Sequence, residues 1–465
     1  MADSVSRGDQ SETLPPPLEH MHLNAAGIDV GGESHYVAVP ADRDAQPVRE
    51  FSCFTPDLYR LADWLQKCRV DTVVMESTGV YWIPVFEVLE ERGFEVKLVS
   101  PQHLKRVPRR KTDVADCQWL QELHTYGLLS GAFRPEDQVC VLRSYMRQRA
   151  MLVKYSAQHI QHMQKALTQM NVQLQHAVSD ITGMTGMRII RAILAGERNP
   201  HKLAAMRDPG CKQDAATIAK ALQGNWRKEH LFALRQAMEL YDSYREKIAA
   251  CDQQILAQLR AFEDRSERGN GTPPQAMPEG KTPRKNELGF DGAGEVYRMT
   301  GVDLTKIDGV QAHTAVKVIS EIGTDVSPWP THKHFASWLG LCPTNRISGG
   351  KKLARRKVMP NANRAAAALR VAAQTLHHSH SALGAFLRRM KARLGMPKAI
   401  EATAHKLAIL IYYILKYGAD YVDKGQGYYE RAYQGRLLKQ LARQAKRLGY
   451  QLVKEETSTT QPQPA

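Results

Sequence analysis

Between residues 25 and 127 the apolar positions fall into short runs broken by glycines and charges. Residues 25–30 and 35–39 are β-prone, and Gly31-Gly32 between them predicts a hairpin turn. Residues 48–51 predict a third strand, after which Leu58, Leu61, Ala62 and Leu65 recur at helical spacing. Residues 72–75 form a compact apolar run of the kind that makes a buried strand. A helix over 85–92 stops at Gly93, residues 95–99 predict another strand, and a helix over 113–126 ends at Gly127. Beyond it the pattern lengthens. Leu142, Tyr145, Leu152, Met163, Leu167 and Met170 predict one extended helix, and residues 228–262 predict a second.

The order β-β-β-α-β-α-β-α is that of the ribonuclease H-like fold. The expected architecture is therefore an α/β ribonuclease H-like (RuvC-like) N-terminal domain, a long helical or coiled-coil insert, and a mainly α-helical C-terminal domain with a helix-hairpin-helix. The boundaries expected are a disordered leader over 1–21, the α/β domain over 22–135, the helical region over 136–262, and a flexible linker over 263–295. A basic serine-bearing domain over 296–424 and a basic tail over 425–465 complete the chain. The linker assignment rests on several Gly and Pro, many charges and few large apolar side chains. The two long helices read as an antiparallel arm that either serves structure alone or forms an oligomer interface. Residues 180–208 between them carry Gly183, Gly186 and Gly196 and suggest no role.

Charge changes the picture. The 465 residues carry 64 Lys+Arg against 48 Asp+Glu, a formal net charge of +16. Residues 326–400 hold no Asp or Glu and 14 Lys or Arg. A solvated helix face interleaves both signs, and this segment does not. Neutralising phosphates with such cations releases condensed counterions, so the segment points to nucleic acid. Seven cysteines lie scattered without C-x-x-C spacing, which argues against a disulfide framework or zinc ribbon and for a reducing cytoplasm. No uncharged apolar run reaches the ~18 residues of a membrane span.

Four acids invite chemistry. Asp29 ends the first strand in Gly-Ile-Asp-Val-Gly-Gly, and Glu76 ends the central one in Val-Val-Met-Glu-Ser-Thr-Gly. In the expected fold those strands are neighbours. Asp113 and Asp116, three apart at a helix start, share a helix face. Taken singly, Asp113 and Asp116 read as acids favouring a helix N-terminus and Asp29 as a turn residue. Glu76 directly after a buried strand is costly without a partner. As a set the four would repel unless a cation lay among them. Mg²⁺ prefers oxygen ligands, and paired ions ~4 Å apart clamp attacking and leaving oxygens of a phosphodiester. Lys105, Arg106, Arg109, Arg110 and Lys111 precede the last pair and either hold a nucleic-acid backbone or form a solvated basic loop.

Farther on, residues 304–323 resemble a helix-hairpin-helix with Gly309 opening the hairpin. The usual second glycine is replaced by Ala312, and a plain helical hairpin accounts equally well for the pattern. Residues 335–343 read as core. Ser348 is followed by Gly349-Gly350, with Arg346, Lys351, Lys352, Arg355, Arg356 and Lys357 around it. Glycine backbone lets a phosphate approach closely, and the cations offset charge developing on phosphorus. A serine hydroxyl needs a base or metal-bound partner to act as nucleophile, so residue chemistry alone favours a phosphate-binding loop serine. Asn361-Ala-Asn363-Arg364 then starts an Ala-rich helix. His405 and Lys406 on a later apolar helix read as core or surface residues.

Together, Gly27-Ile-Asp-Val, Met75-Glu-Ser-Thr-Gly, Lys111-Thr-Asp-Val-Ala-Asp116, the hairpin and Ser348-Gly-Gly resemble the transposases of insertion-sequence family 110, which includes the 1111 subgroup. The resemblance implies a RuvC-like DEDD set at Asp29, Glu76, Asp113 and Asp116 with Mg²⁺, and Ser348 as nucleophile of a covalent phosphoserine–DNA intermediate. It further implies donor and target DNA, a structured non-coding guide RNA, a homo-oligomer (dimer or tetramer), and a bacterial cytoplasmic, nucleoid-associated setting. Two alternatives stay open. One is a RuvC-like nuclease or junction resolvase in which Ser348 only binds phosphate, the other a non-catalytic nucleic-acid scaffold.

Overall fold

The computed structural model describes residues 21–77, 79–99, 112–129, 131–268, 272–278, 285–342, 363–418 and 423–453, together with the backbone at 347–348 and 351–352. It divides into two compact units, Met1–Arg134 and Pro135–Ala465.

The first unit is built on five strands: β1 (Ala25–Val30), β2 (Ser34–Ala38), β3 (Val48–Ser52), β4 (Thr72–Glu76) and β5 (Glu95–Val99). Their order across the sheet is β3-β2-β1-β4-β5. β1, β2 and β3 are antiparallel, as short connections allow, whereas β1, β4 and β5 run parallel through helical crossovers. The Gly31-Gly32 turn closes with the Gly31 amide donating to the Ser34 carbonyl at 3.0 Å. Helices α1 (Thr55–Lys67) and α2 (Trp82–Glu91) bury Leu58, Leu61, Leu65, Val85 and Leu89 against one sheet face, where Ile28, Val73 and Met75 project. Helix α3 (Asp113–Thr125) covers the other face, Leu120 meeting Val74 and Val99. This mixed sheet with helices is consistent with a ribonuclease H-like DEDD domain.

The second unit is helical. Its frame is α4 (Asp137–Gln169) and, after the intervening helices, α9 (Lys228–Arg260), each of 33 residues. They run antiparallel: the Gln258 amide, near the end of α9, donates to the Gln138 carbonyl at the start of α4 at 3.0 Å. Arg149 of α4 is buried against Asp252 of α9. At the far end, α5 (Leu174–Ala177), α6 (Met184–Leu194), α7 (Pro200–Ala204) and α8 (Ala215–Ala221) enclose a core including Ile189, Ile190, Ile193, Leu203 and Leu222. Residues 180–208, without a role in the sequence, thus form part of a folded head between the long helices.

Residues 285–291, which composition alone assigns to a linker, are fastened to the frame. Arg149 Nη2 donates to the Glu287 carbonyl at 2.7 Å, Asp252 accepts from the Gly289 amide at 3.1 Å, and Leu288 is buried. Backbone carbonyls complete the environment of a buried cation, a demand invisible in composition. The remainder comprises α10 (Gly292–Thr300), α11 (Ala312–Ile322), α12 (His332–Trp338), the two-residue strands β6 (Ile347–Ser348) and β7 (Lys351–Lys352), α13 (Arg364–Thr375), α14 (Ala382–Leu394), α15 (Met396–Tyr417) and α16 (Gly425–Arg447). α11 is tied to the frame by Arg147, which grips Glu321 with two bonds of 3.1 and 2.8 Å.

Candidate acidic site and serine-bearing segment

Strand alternation decides where the first two acids point. Ile28 and Met75, paired across β1 and β4, lie in the core under α1 and α2. Their neighbours Asp29 and Glu76 therefore project to the α3 face, and continuing the parallel register sets them side by side at the ends of adjacent strands. Both strands are buried up to these residues and the acids themselves are half-buried.

The second pair arrives on α3. Thr112 caps this helix by accepting the Ala115 amide at 3.2 Å, which fixes Asp113 and Asp116 in its first turn. The helix reaches the sheet only because β1 carries glycine at position 27. A Cβ there would stand 2.3 Å from the Gln121 nitrogen and 2.4 Å from the Cys117 oxygen. Backbone thus packs on backbone, one turn beyond Asp113 and Asp116.

Electrostatics reports the same proximity. The Cys117 thiol is pushed up to about 12, first by burial and then by the negative charge of Asp29, with Asp116 adding to it. The Tyr36 phenol, opposite Asp29 in the β1–β2 register, is raised by its hydrogen bond to Glu50, then by burial, with Asp113 among the charges it feels. Asp29 and Asp116 thus act on one thiol, and Asp113 on the phenol that faces Asp29 across the strand pair.

The donor chemistry suits a hard divalent cation, since all four groups are carboxylates. Convergence is looser than the sequence suggested. Among the described residues, no three His, Cys, Asp or Glu side chains stand close enough to hold a metal ion. The acids line one end of the sheet and the start of the helix above it as an open set. Lys105, Arg106, Arg109, Arg110 and Lys111 lie outside the described residues.

In the second unit, Ser348 occupies a short strand rather than an irregular loop, and pairs with Lys351 across β6–β7, as Ile347 pairs with Lys352. The spacing Ser-Gly-Gly-Lys is that of a two-residue hairpin connection. Arg346, Arg355, Arg356 and Lys357 lie outside the described residues. Arg364 is the exposed first residue of α13, whose N-cap Asn363 accepts the Ala366 amide at 3.0 Å.

A cation missed by sequence reasoning joins it. Lys317 of α11 is held below the ordinary lysine value by burial and then by the neighbouring Arg364. Its partly buried place on α11 was the available signal, but only packing brings it to the start of α13. Gly309, at φ +84°, precedes α11, and a Cβ there would lie 2.7 Å from the Ala372 oxygen of α13. A single 3-10 turn, Leu304–Lys306, stands where the sequence suggested the first helix of the hairpin.

No helix among the described residues is long and apolar enough to cross a membrane. Two family models match the chain. The DEDD model of IS110 elements, described as Transposase, matches residues 26–172. The model described as Transposase IS116/IS110/IS902 family matches residues 303–387. No curated protein matches the chain.

Proposed function

Since the chain belongs to the IS110 family of transposases, enzymes that cleave and rejoin DNA, we propose that the acid edge of the first unit and the β6–β7 hairpin of the second supply its chemistry. The observation carrying this reading is the side-by-side placement of Asp29 and Glu76 at the ends of parallel neighbours, with Asp113 and Asp116 brought over them by α3. Asp29, Glu76, Asp113 and Asp116 would hold Mg²⁺, which supplies positive charge against the developing negative charge of a phosphodiester under attack. That charge would also offset the repulsion among the four acids.

Ser348 is the nucleophile in this reading. Its Oγ attacks a phosphodiester, an Oγ–P bond forms, the P–O3′ bond breaks, and the 3′-hydroxyl leaves with the proton taken from the serine. After strand exchange the new 3′-hydroxyl attacks the phosphoserine and returns Ser348 to its free form. Lys351 and Lys352, with Arg346, Arg355, Arg356 and Lys357 of the same segment, neutralise the phosphate. Arg364 and Lys317 would add two further cations for the nucleic acid. Lys105, Arg106, Arg109, Arg110 and Lys111 would grip the backbone beside the acids.

The finer parts follow from family resemblance and the shape of the second unit. A structured non-coding RNA pairs with donor and target DNA. The antiparallel α4–α9 pair acts as a coiled-coil arm in a dimer or tetramer, and residues 304–323 act as a helix-hairpin-helix that holds phosphate. The limit at 135 marks two units that work separately, one bearing the acids and the other the serine.

Trapping tests the reading. Purified protein with its co-purified RNA and element DNA should give a protein–DNA adduct that survives denaturation. Ser348→Ala should abolish the adduct, and Asp29→Asn with Glu76→Gln should abolish strand cleavage while DNA binding persists. Metal-dependent cutting by Ser348→Ala at the wild-type rate would establish the nuclease reading instead.

A further inference from the structure

A cleft opens where α16 leaves the body of the second unit, outside both matched regions but for one residue. Its volume is about 340 Å³, and Lys406, Lys424, Arg436, Asp423, Tyr428 and Tyr429 line it. That size lies within the range of small-ligand clefts. Three cations face one carboxylate, and Asp423 already accepts the Ala382 amide at the start of α14 at 3.1 Å. The tyrosines are held by charge and ring contacts. Lys424 Nζ stands 4.9 Å from the Tyr428 ring, and Lys406 Nζ 5.8 Å from that of Tyr429. Tyr429 meets Phe386 edge-on at 6.2 Å, while Tyr428 stays 48% exposed.

The cleft leads onto a charged track. Arg436, Lys439, Arg443 and Lys446 recur on one face of α16. They cover roughly 15 Å of helix at ~1.5 Å per residue. Leu437, Leu441 and Leu448 lie on the other side, and no residue of α16 is buried. Glu430 is the helix's one acid.

We propose that this cleft and the track beyond it bind a single strand of DNA, one nucleotide seated with its phosphate among Lys406, Lys424 and Arg436 and its base on Tyr428. Cations that follow a backbone, joined to an aromatic platform, are what single strands require, because an unpaired base offers a π-face that a duplex hides. DNA is the occupant because the enzyme's own cleavage and rejoining free DNA strands.

The test is fluorescence anisotropy of a labelled oligothymidylate with the full chain over a salt series. Lys424 and Arg436 are exposed, so Lys424→Gln with Arg436→Gln leaves the fold intact. The slope of log affinity against log salt should become shallower by about 0.7, the contribution of one neutralised single-strand phosphate. Tyr428→Ala should weaken binding about tenfold without changing that slope. Unchanged binding in both variants overturns the proposal, and so does an equal loss on a duplex of the same length. A loss confined to oligouridylate would make RNA the occupant and overturn it as well.

Discussion

Gly27→Ala separates fold from catalysis. The added Cβ would sit 2.3 Å from the Gln121 nitrogen, where ordinary contact begins at 3.4 Å, so α3 must retreat by about 1 Å. Both obstructing atoms belong to helix backbone, and no side-chain rotation relieves them. Overpacking of this kind costs about 1–3 kcal/mol, which leaves most of the protein folded. The retreat carries Asp113 and Asp116 away from Asp29 and Glu76, and a displacement of ~1 Å in a reacting constellation costs on the order of 10²-fold in rate. Gly93→Ala is the control: its φ is +81°, but no atom lies within 4 Å of the new Cβ. It should lose about 1 kcal/mol to backbone strain and keep its activity. Strand cleavage on element DNA, normalised to folded protein by circular dichroism, reads the difference. Wild-type cleavage by Gly27→Ala would refute the claim that α3 aligns the acids, as would an equal loss of rate in Gly93→Ala.

Two further outcomes follow from buried charge. Arg149→Leu should destabilise the second unit by about 3–5 kcal/mol in urea unfolding, because it leaves Asp252 buried without its cation and two backbone carbonyls without their donor; a loss below ~1 kcal/mol would show that the pair is dispensable. His124, in the last turn of α3, is buried against the sheet and bonded to Thr72 Oγ1 at 2.9 Å, with its Nδ1 unpartnered among the described residues, and burial holds its pKa down at about 4. The unfolded ring takes a proton near 6.5, so stability is present above that value and is lost as pH falls from about 6.5 toward 4. The expected loss is about 2 kcal/mol by pH 5, and His124→Asn should flatten it in urea midpoints measured at pH 7 and 5.

The acid strands were legible because a carboxylate directly after a buried apolar run is a local contradiction that sequence displays. The three-residue spacing of Asp113 and Asp116 was equally local. Gly27 was not legible as the residue that admits α3, since its constraint comes from Cys117 and Gln121, some ninety positions away and met only in the fold. The head between the long helices escaped for another reason: α5, α7 and α8 have four, five and seven residues, too few turns to show a helical period. The tail read as basic but not as a helix, because Gly425, Gly427 and Gly435 lower its propensity. Anchors that only packing reveals, such as Arg388 Nη2 donating to Gln426 Oε1 at 2.7 Å, compensate for those glycines.

The two candidate sites reach their chemistry by opposite routes. At the acid edge, strand alternation and register set Asp29 and Glu76 side by side, an arrangement that a cation would stabilise. At the start of α13, Arg364 stands beside Lys317, whose pKa is lowered first by burial and then by Arg364. On the proposed reading a cation offsets the charge at the first site and a phosphate the charge at the second. Alignment of the four acids then depends on α3 keeping its seat on Gly27, whose missing Cβ lets the Cys117 and Gln121 backbone approach.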